Sequence, residues 1–175
     1  MGLRPAHCIR NLSKRPWTRF SRKKPYKSYI KAMPHHDLVV YRMGDRKGKY
    51  DLITHLREND DGVVLRDNAM ESARQAANKY LEKIIPGQYY FIVRVYPHHI
   101  IRENKMISGA GADRLQKGMR QSFGRPTDCA ARINYGTDLF TVHTFKQNEG
   151  HVATAFKRAT RKLSGKWTIV KEALG

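Results

Sequence analysis

Residues 68–96 read NAMESARQAANKYLEKIIPGQYYFIVRVY, and within this stretch the pattern of a helix gives way to the pattern of a strand. Asn68, followed by Glu71 three residues later, is typical of a capping box at the start of a helix. Pro86 and Gly87 predict where that helix ends. A set of apolar residues at helical spacing predicts its buried face. They are Ala69, Ala73, Ala76, Ala77, Tyr80, Leu81 and Ile84.

Strands are predicted on both sides of this helix. Directly after it, residues 89–96 read YYFIVRVY, a run of β-branched and aromatic residues that Pro97 ends. Gly136, Thr137 and Asp138 separate two later runs, which predicts a hairpin-like pair. The other predicted strands are residues 36–43, 50–56 and 63–65 before the helix, and 131–135, 140–145 and 167–170 after it.

A second helix is predicted from about residue 150 to residue 163. Its apolar stripe consists of Val152, Ala155, Phe156, Ala159 and Leu163. Gly165 suits the position just after the helix end. The order of strands, helix, strands, helix and strand predicts an α+β fold with a mostly antiparallel sheet and two main helices.

Charge is distributed very unevenly along the chain. The 175 residues carry a formal net charge of +19, with 34 Lys and Arg against 15 Asp and Glu. Residues 1–32 contribute +10, residues 33–96 only +1, and residues 97–175 contribute +8. Such an excess calls for a polyanion, so nucleic acid is the first candidate partner and an anionic membrane the second. No segment reaches the length of a membrane span, so no membrane partner is expected.

Residues 1–32 are predicted to form an extended basic arm that binds RNA. Cations alternate there with aromatic residues and prolines without helical or strand periodicity, so we do not expect the arm to fold alone. Lys and Arg neutralise phosphates, while aromatic and guanidinium planes stack on unpaired bases. The central candidates are Arg15, Trp17, Arg19, Arg22, Lys23 and Lys24. A solvated tail without a specific partner is the alternative.

The remaining residues, 33–175, are predicted to form one domain with a long basic loop inserted at 102–126. This loop reads RENKMISGAGADRLQKGMRQSFGRP and holds six Lys or Arg, two acids and four glycines. Long loops in compact domains are usually functional or disordered, and glycine permits close backbone approach. We expect the loop to lie against RNA; a mobile surface loop is the alternative. On the second helix, Arg158, Arg161 and Lys162 lie outside the apolar stripe and are expected to contact phosphates.

Motifs for metal binding, nucleotide binding and catalysis are missing from the sequence. Cys8 and Cys129 lie far apart, and no histidine has metal-ligand spacing with a cysteine or an acid, so no metal site is predicted. Gly109 and Gly111 begin a dinucleotide fingerprint, but Arg114 stands where its last glycine belongs. We therefore expect no catalytic residues, no cofactor and no small-molecule substrate.

Four stretches carry a resemblance to a known family. They are RPAHCIRNLSKRPWTR (4–19), NAMESARQAANKYL (68–81), RVYPHHIIRENKM (94–106) and SGAGADRLQKGMRQSFGRP (108–126). Together they resemble the universal large-subunit ribosomal protein number sixteen in its archaeal and eukaryotic form, the ten-e type. The likeness covers essentially the whole chain, and the last stretch is long and specific.

The resemblance implies an α/β-hammerhead fold and rRNA binding near the peptidyl transferase centre. It implies that the glycine-rich loop reaches toward the tRNA sites. The matching positions of the arm include Arg4, Arg10, Lys14, Arg15, Trp17 and Arg19. The matching positions of the loop include Arg102, Lys105, Met106, Ser108, Arg114, Lys117 and Arg120.

The expected function is that of a structural, non-enzymatic constituent of the cytoplasmic large ribosomal subunit. Its expected partners are large-subunit rRNA, tRNA and neighbouring ribosomal proteins. Two alternatives stay open, because active sites are recognised by geometry rather than by sequence position. An RNA-modifying enzyme would turn over RNA, whereas a nonspecific nucleic-acid-binding protein would bind any duplex equally well at equal salt.

Overall fold

The computed structural model describes residues 33–60, 62–103 and 124–174. In chain order, the strands and helices of these residues are β1 (Arg42–Gly44), β2 (Leu52–Glu58), β3 (Val63–Arg66), α1 (Asp67–Ile84), β4 (Tyr89–Val93), β5 (His99–Glu103), β6 (Arg125–Ile133), β7 (Asp138–Thr144), α2 (Glu149–Thr160) and β8 (Trp167–Ala173). A short 3-10 turn, Lys146–Asn148, leads into α2. The predicted α+β class with two main helices is confirmed, while the predicted basic arm lies outside the described residues.

The strands form two antiparallel sheets. The larger sheet has the order β1-β4-β7-β2-β8, and the smaller sheet has the order β3-β6-β5. Among the described pairs, only β5 and β6 are consecutive along the chain. Most strand neighbours therefore come from remote parts of the sequence.

The predicted hairpin-like pair at 131–135 and 140–145 is wrong, because β6 and β7 belong to different sheets. The turn between them is held by the end of β2 instead. Gly136 N donates to Glu58 O and Glu58 N donates to Thr137 O, both at 3.0 Å. Gly136 adopts a φ of 76°, which favours glycine. This attachment directs β7 onto β2 and away from β6.

Several predicted strand positions also differ from the observed ones. The predicted strand at 36–43 is reduced to β1, and Val39 and Val40 are exposed because no strand pairs with them. The sequence did not predict β5, since four of its five residues are buried and the strand shows no alternation of apolar and polar positions. β5 and β6 also extend into the predicted loop, at Arg102–Glu103 and Arg125–Pro126.

Helix α1 begins one residue before the predicted start and without the predicted capping box. Asp67 is its first residue, and Arg66 at the cap position makes no side-chain capping bond. Glu71 accepts hydrogen bonds from Arg74 and Gln75 rather than from the backbone at Asn68. The capping-box prediction is wrong because Arg74, one turn further on, offers the Glu71 carboxylate a charged, bidentate partner.

The core lies between the two helices and the larger sheet. Met70, Ala73, Ala77 and Leu81 form the buried face of α1, whereas the predicted stripe residue Ile84 is 42% exposed. The predicted stripe of α2 is confirmed: Val152, Ala155, Phe156 and Ala159 are fully buried, and Leu163 packs against the core. Phe91 of β4 and Phe140 of β7 meet edge to face, with centroids 5.2 Å apart.

Candidate nucleic-acid interface

The end of α2 presents a cluster of exposed cations. Arg158, Arg161 and Lys162 all lie on the surface, outside the apolar stripe that packs against the core. Lys157, in the last turn, is exposed as well. Cations at a helix C-terminus also interact favourably with the helix dipole, so the cluster is compatible with a stable helix. Exposed cations of this kind suit contact with RNA phosphates.

Arg158 is held in place by an aromatic ring of the other helix. Its guanidinium carbon lies 4.2 Å from the centroid of the Tyr80 ring on α1. This cation–π contact orients the side chain while its charge still faces solvent. Arg158 is therefore the most preorganised cation of the cluster.

The predicted tRNA-site loop emerges from the hairpin of β5 and β6. Arg102 pairs with Pro126 and Glu103 pairs with Arg125, so the described residues form the base of the loop. A register irregularity lies between Ile101 and Arg102. The loop candidates Lys105, Met106, Ser108, Arg114, Lys117 and Arg120 lie outside the described residues.

Arg102 itself has a structural position at this base. It is only 7% exposed, and its Nη1 donates to the carbonyl oxygen of Gly124 at 3.0 Å. Burial lowers the pKa of its guanidinium from the ordinary value. Gly124 adopts a φ of 68°, and Arg102 binds its carbonyl at the point where the chain enters β6. Arg102 therefore helps to close the hairpin, and its contact with tRNA stays a prediction.

An exposed basic turn connects β1 and β2, and the sequence did not single it out. Its cations are Arg42, Arg46, Lys47 and Lys49, and all are exposed. The Asp45 carboxylate accepts a hydrogen bond from the backbone of Lys47 at 2.9 Å, and Tyr50 Oη donates to the Asp45 carbonyl at 2.6 Å. These bonds fix the turn with its cations facing solvent.

Burial of acids explains why this basic turn was missed. Residues 33–96 are nearly neutral in total, but two of their acids do not reach the surface: Glu58 is 1% exposed and Asp67 is 4% exposed. Burial raises the pKa of both carboxyls above the ordinary values. The exposed residues of this segment therefore carry a larger net positive charge than the composition of the whole segment indicates.

Four rings form an aromatic cluster beside the junction with the N-terminal residues. Tyr96 stacks on Tyr41 with centroids 5.7 Å apart and contacts His36 at 5.2 Å and His98 at 4.6 Å. Tyr96 is 41% exposed, and His98 is exposed as well. Exposed aromatic rings of this kind provide stacking surfaces for unpaired bases. The sequence shows these rings, but their separation along the chain concealed the cluster.

The described residues contain one group with the chemistry of a metal site. Side-chain ligand atoms of His36, Asp67 and Cys129 lie within 4.8 Å of one another. The sequence predicted no metal site because these residues have no ligand spacing along the chain. In the part of the chain that the structure describes, no helix is long and apolar enough to cross a membrane.

Comparison with known proteins gives a consistent result. Residues 15–170 match the family model described as ribosomal protein L16p/L10e. A large ribosomal subunit protein uL16 of Staphylothermus marinus is 44% identical over 164 residues, which cover 93% of this chain and 90% of that protein. A protein of the same name from Methanococcus aeolicus is 42% identical over 171 residues, covering 97% and 94%. A third, from Hyperthermus butylicus, is 43% identical over 169 residues, covering 93% and 89%.

Proposed function

The chain belongs to the ribosomal protein L16p/L10e family, and from that premise we propose that it is a structural constituent of the large ribosomal subunit, where it binds rRNA. The observation that carries this proposal is the match over nearly the whole chain, to the family and to the relatives named above. Membership of this family confirms the expectation that the protein is not an enzyme. The protein works in the cytoplasm, within the large subunit and among rRNA and other ribosomal proteins.

The described surface supports two kinds of contact with rRNA, and the predicted basic arm adds further charge. The cations at the end of α2 and those of the β1–β2 turn are exposed and suit neutralisation of backbone phosphates. The aromatic cluster around Tyr96 suits stacking on an unpaired base. The predicted basic arm of residues 1–32 carries a net charge of +10, which suits further neutralisation of phosphates. The described surfaces therefore combine positioning by charge with local recognition by stacking.

The finer part of the proposal places the glycine-rich loop beside tRNA, near the peptidyl transferase centre. The described support is the antiparallel base of the loop, where Arg102 binds the Gly124 carbonyl and Glu103 pairs with Arg125. A base fixed in a sheet limits where the residues between 103 and 124 can extend. The chemistry of peptide transfer belongs to the RNA, and the loop contributes backbone and charge contacts.

The first test is sedimentation of an epitope-tagged full chain from its source cells on a high-salt sucrose gradient. High salt removes loosely held basic proteins and spares integral ones. We expect recovery with the large subunit in a one-to-one ratio to another integral protein. Recovery at the top of the gradient would contradict the assignment to the subunit.

The second test separates the loop from the rest of the proposal. Arg114→Ala with Lys117→Ala should impair tRNA binding or subunit maturation in cells that carry only this variant, while the purified chain keeps its unfolding temperature. Lys79→Ala with Lys83→Ala, which removes the same charge from exposed positions of α1, is the matched control. Normal maturation and tRNA binding in the loop variant would refute the role of the loop and leave membership of the subunit intact.

A nonspecific nucleic-acid-binding protein is the remaining alternative, favoured by the net charge of +19. Competition distinguishes it from an rRNA-binding protein. Excess unlabelled large-subunit rRNA should displace the labelled rRNA from the full chain, whereas the same excess of unrelated duplex RNA at the same salt concentration should not. Equal displacement by both competitors would support the nonspecific alternative, because phosphate neutralisation alone carries no sequence information.

A further inference from the structure

Three side chains of metal-binding type come together from remote parts of the chain. His36 precedes β1, Asp67 is the first residue of α1, and Cys129 lies in β6. One ligand atom from each lies within 4.8 Å of the other two. These residues are distant in the sequence, and only the folded structure brings their side chains together.

His36 presents one ring nitrogen that is already engaged and one that is available. Its Nε2 lies 3.0 Å from Tyr96 Oη, whereas its buried Nδ1 has no hydrogen-bond partner among the described residues. Metal-binding histidines usually donate from their second ring nitrogen to a neighbouring group, which fixes the tautomer and the ring orientation. With the proton on Nε2, donated to Tyr96, the lone pair of Nδ1 is free to bind a metal.

Asp67 is oriented by the backbone on both sides of the group. The residue is 4% exposed, Asn68 N donates to its Oδ1 at 2.8 Å, and Asp37 N donates to its Oδ2 at 3.0 Å. Each carboxylate oxygen retains a lone pair after these bonds. The backbone therefore fixes the carboxylate as an outer shell fixes a metal ligand.

Cys129 is fully buried and has only weak contacts within the described part. Its Sγ lies 3.7 Å from the Pro34 carbonyl oxygen and 4.0 Å from that of His35. Among the described residues, the sulfur therefore has no short hydrogen bond that would compete with a metal ion.

We propose that His36 Nδ1, a carboxylate oxygen of Asp67 and Cys129 Sγ bind one Zn²⁺ ion. Mixed nitrogen, sulfur and oxygen ligands in a tetrahedral arrangement are the set that Zn²⁺ accepts in proteins. Binding releases the thiol proton, because the thiolate is the form that coordinates a metal. Water occupies the fourth position, so the affinity falls below that of a structural site with four protein ligands.

The site would connect the segment before β1 to helix α1 and to the smaller sheet. His36 follows the basic arm of residues 1–32 by only four positions, Asp67 begins the long helix, and Cys129 lies in the central strand of the smaller sheet. The ion would thus hold the described segment before β1 in one position relative to α1 and the smaller sheet. This inference goes beyond the proposed function and does not depend on it.

The test uses the full chain, stripped of metal by a chelator and then titrated with Co²⁺ and Zn²⁺. We expect one equivalent of Co²⁺ to produce a thiolate-to-metal charge-transfer absorption, which Zn²⁺ then abolishes by displacement. Zn²⁺ should also raise the unfolding temperature, because a ligand that binds only the folded state stabilises it. Absence of both effects in the wild-type chain would overturn the proposal.

Matched variants assign the metal to this group. Cys129→Ser should abolish the charge-transfer absorption, whereas Cys8→Ser, the only other cysteine substitution the chain offers, should keep it. His36→Gln should weaken Co²⁺ and Zn²⁺ binding, and His98→Gln, at an exposed histidine beside the same Tyr96 ring, should leave binding unchanged.

Circular dichroism shows whether each variant folds, and His36→Gln, at a partly exposed position, tests the site if Cys129→Ser does not fold. Absorption that persists in Cys129→Ser would overturn the proposal. Loss of the metal effect in the Cys8→Ser or His98→Gln chain, with His36→Gln unchanged, would do the same.

Discussion

Residues of the same chemical type have different roles in this protein according to their burial. Arg158 is exposed and rests on the Tyr80 ring, so its charge is available to a partner. Arg102 is buried and binds a backbone carbonyl, so it stabilises the base of a loop. His98 is exposed, whereas His99 beside it is 7% exposed. Burial therefore separates residues whose charge is available to a partner from residues that maintain the fold.

His99 should make folding stability depend on pH. Burial, and secondarily the charge of Arg132, lowers the pKa of His99 from 6.5 to about 4. Between these pH values the unfolded chain binds a proton that the folded chain does not. The contribution of His99 is thus fully present above pH 6.5 and is lost as the pH falls toward 4.

Urea unfolding at several pH values checks this expectation. The His99→Gln chain should lose less stability than the wild type between pH 6.5 and 4, because it cannot gain that proton. Glu58 and Asp67, whose raised carboxyl pKa values act in the opposite direction, are common to both chains and cancel in the comparison. Parallel pH profiles would show that His99 does not titrate differently on folding.

Phe156 should be among the residues on which the core depends most. It is fully buried in the apolar stripe of α2. Phe156→Ala should lower the free energy of unfolding by about 3–5 kcal/mol, because the cavity only partly collapses. Lys157→Ala, at the adjacent exposed position, should change it by less than about 0.5 kcal/mol in the same denaturant experiment. Equal losses in both variants would contradict the assigned packing.

At the scale of elements, α2 combines a buried face with an exposed basic end, for which we propose contact with phosphates. One face, with Val152, Ala155, Phe156 and Ala159, is buried in the core, and the outer face ends in a basic cluster. The β5–β6 hairpin divides its roles differently, since its buried strands hold the base from which the predicted tRNA-site loop extends. In both elements, the buried part fixes the position of the part that we propose to face a partner.

Pairing of β1 with β4 should depend on Gly44. Gly44 has a φ of 85°, and a Cβ there would lie 2.2 Å from the Tyr89 carbonyl oxygen of β4. Gly44→Ala should therefore cost more than about 2 kcal/mol of unfolding free energy, from backbone strain and from the steric clash. Gly150→Ala is the control, because nothing lies within 4 Å of that Cβ and alanine favours a helix by up to about 1 kcal/mol. Chemical denaturation of both variants distinguishes the two cases.

The basic cluster of α2 should contribute to rRNA affinity through phosphates. Replacing Arg158, Arg161 and Lys162 together with alanine should make the plot of log affinity against log salt concentration shallower. The magnitude of its negative slope should fall by about 2–3. A chain with Lys79, Lys83 and Lys146 replaced, all exposed, has the same net charge and should show a smaller change. Filter binding to large-subunit rRNA at several salt concentrations measures both slopes. Identical slopes would mean that net charge alone determines binding.

At the scale of the whole molecule, the large positive charge suits a protein bound to a polyanion better than an isolated protein. A net charge of +19 on 175 residues produces self-repulsion that bound rRNA would relieve. The unfolding temperature of the isolated chain should therefore rise when NaCl increases from about 50 mM to about 200 mM, because salt screens exposed charges. A scan in glycerol at constant salt controls for general solvent effects. An unfolding temperature that falls with salt would show that attractive surface pairs dominate.

The sequence by itself determined the class of fold, the two helices and the family. The stripe of α2 and the strong strand at Tyr89 are local patterns that periodicity reveals, and the long stretch at 108–126 is specific enough to indicate the family. The basic composition likewise indicates a polyanionic partner without any tertiary information. These properties depend on residues that are close together along the chain, so the sequence alone is enough to predict them.

Only the tertiary structure decided which remote residues meet. It separated β6 from β7, because the Gly136 turn binds the end of β2. It assembled the aromatic cluster around Tyr96, and it brought His36 to Asp67 and Cys129. Strand pairing and burial depend on contacts between residues that are distant in sequence, and no local period encodes them. The composition thus indicates a polyanionic partner, but the packed core determines which charged and aromatic residues lie together on the surface.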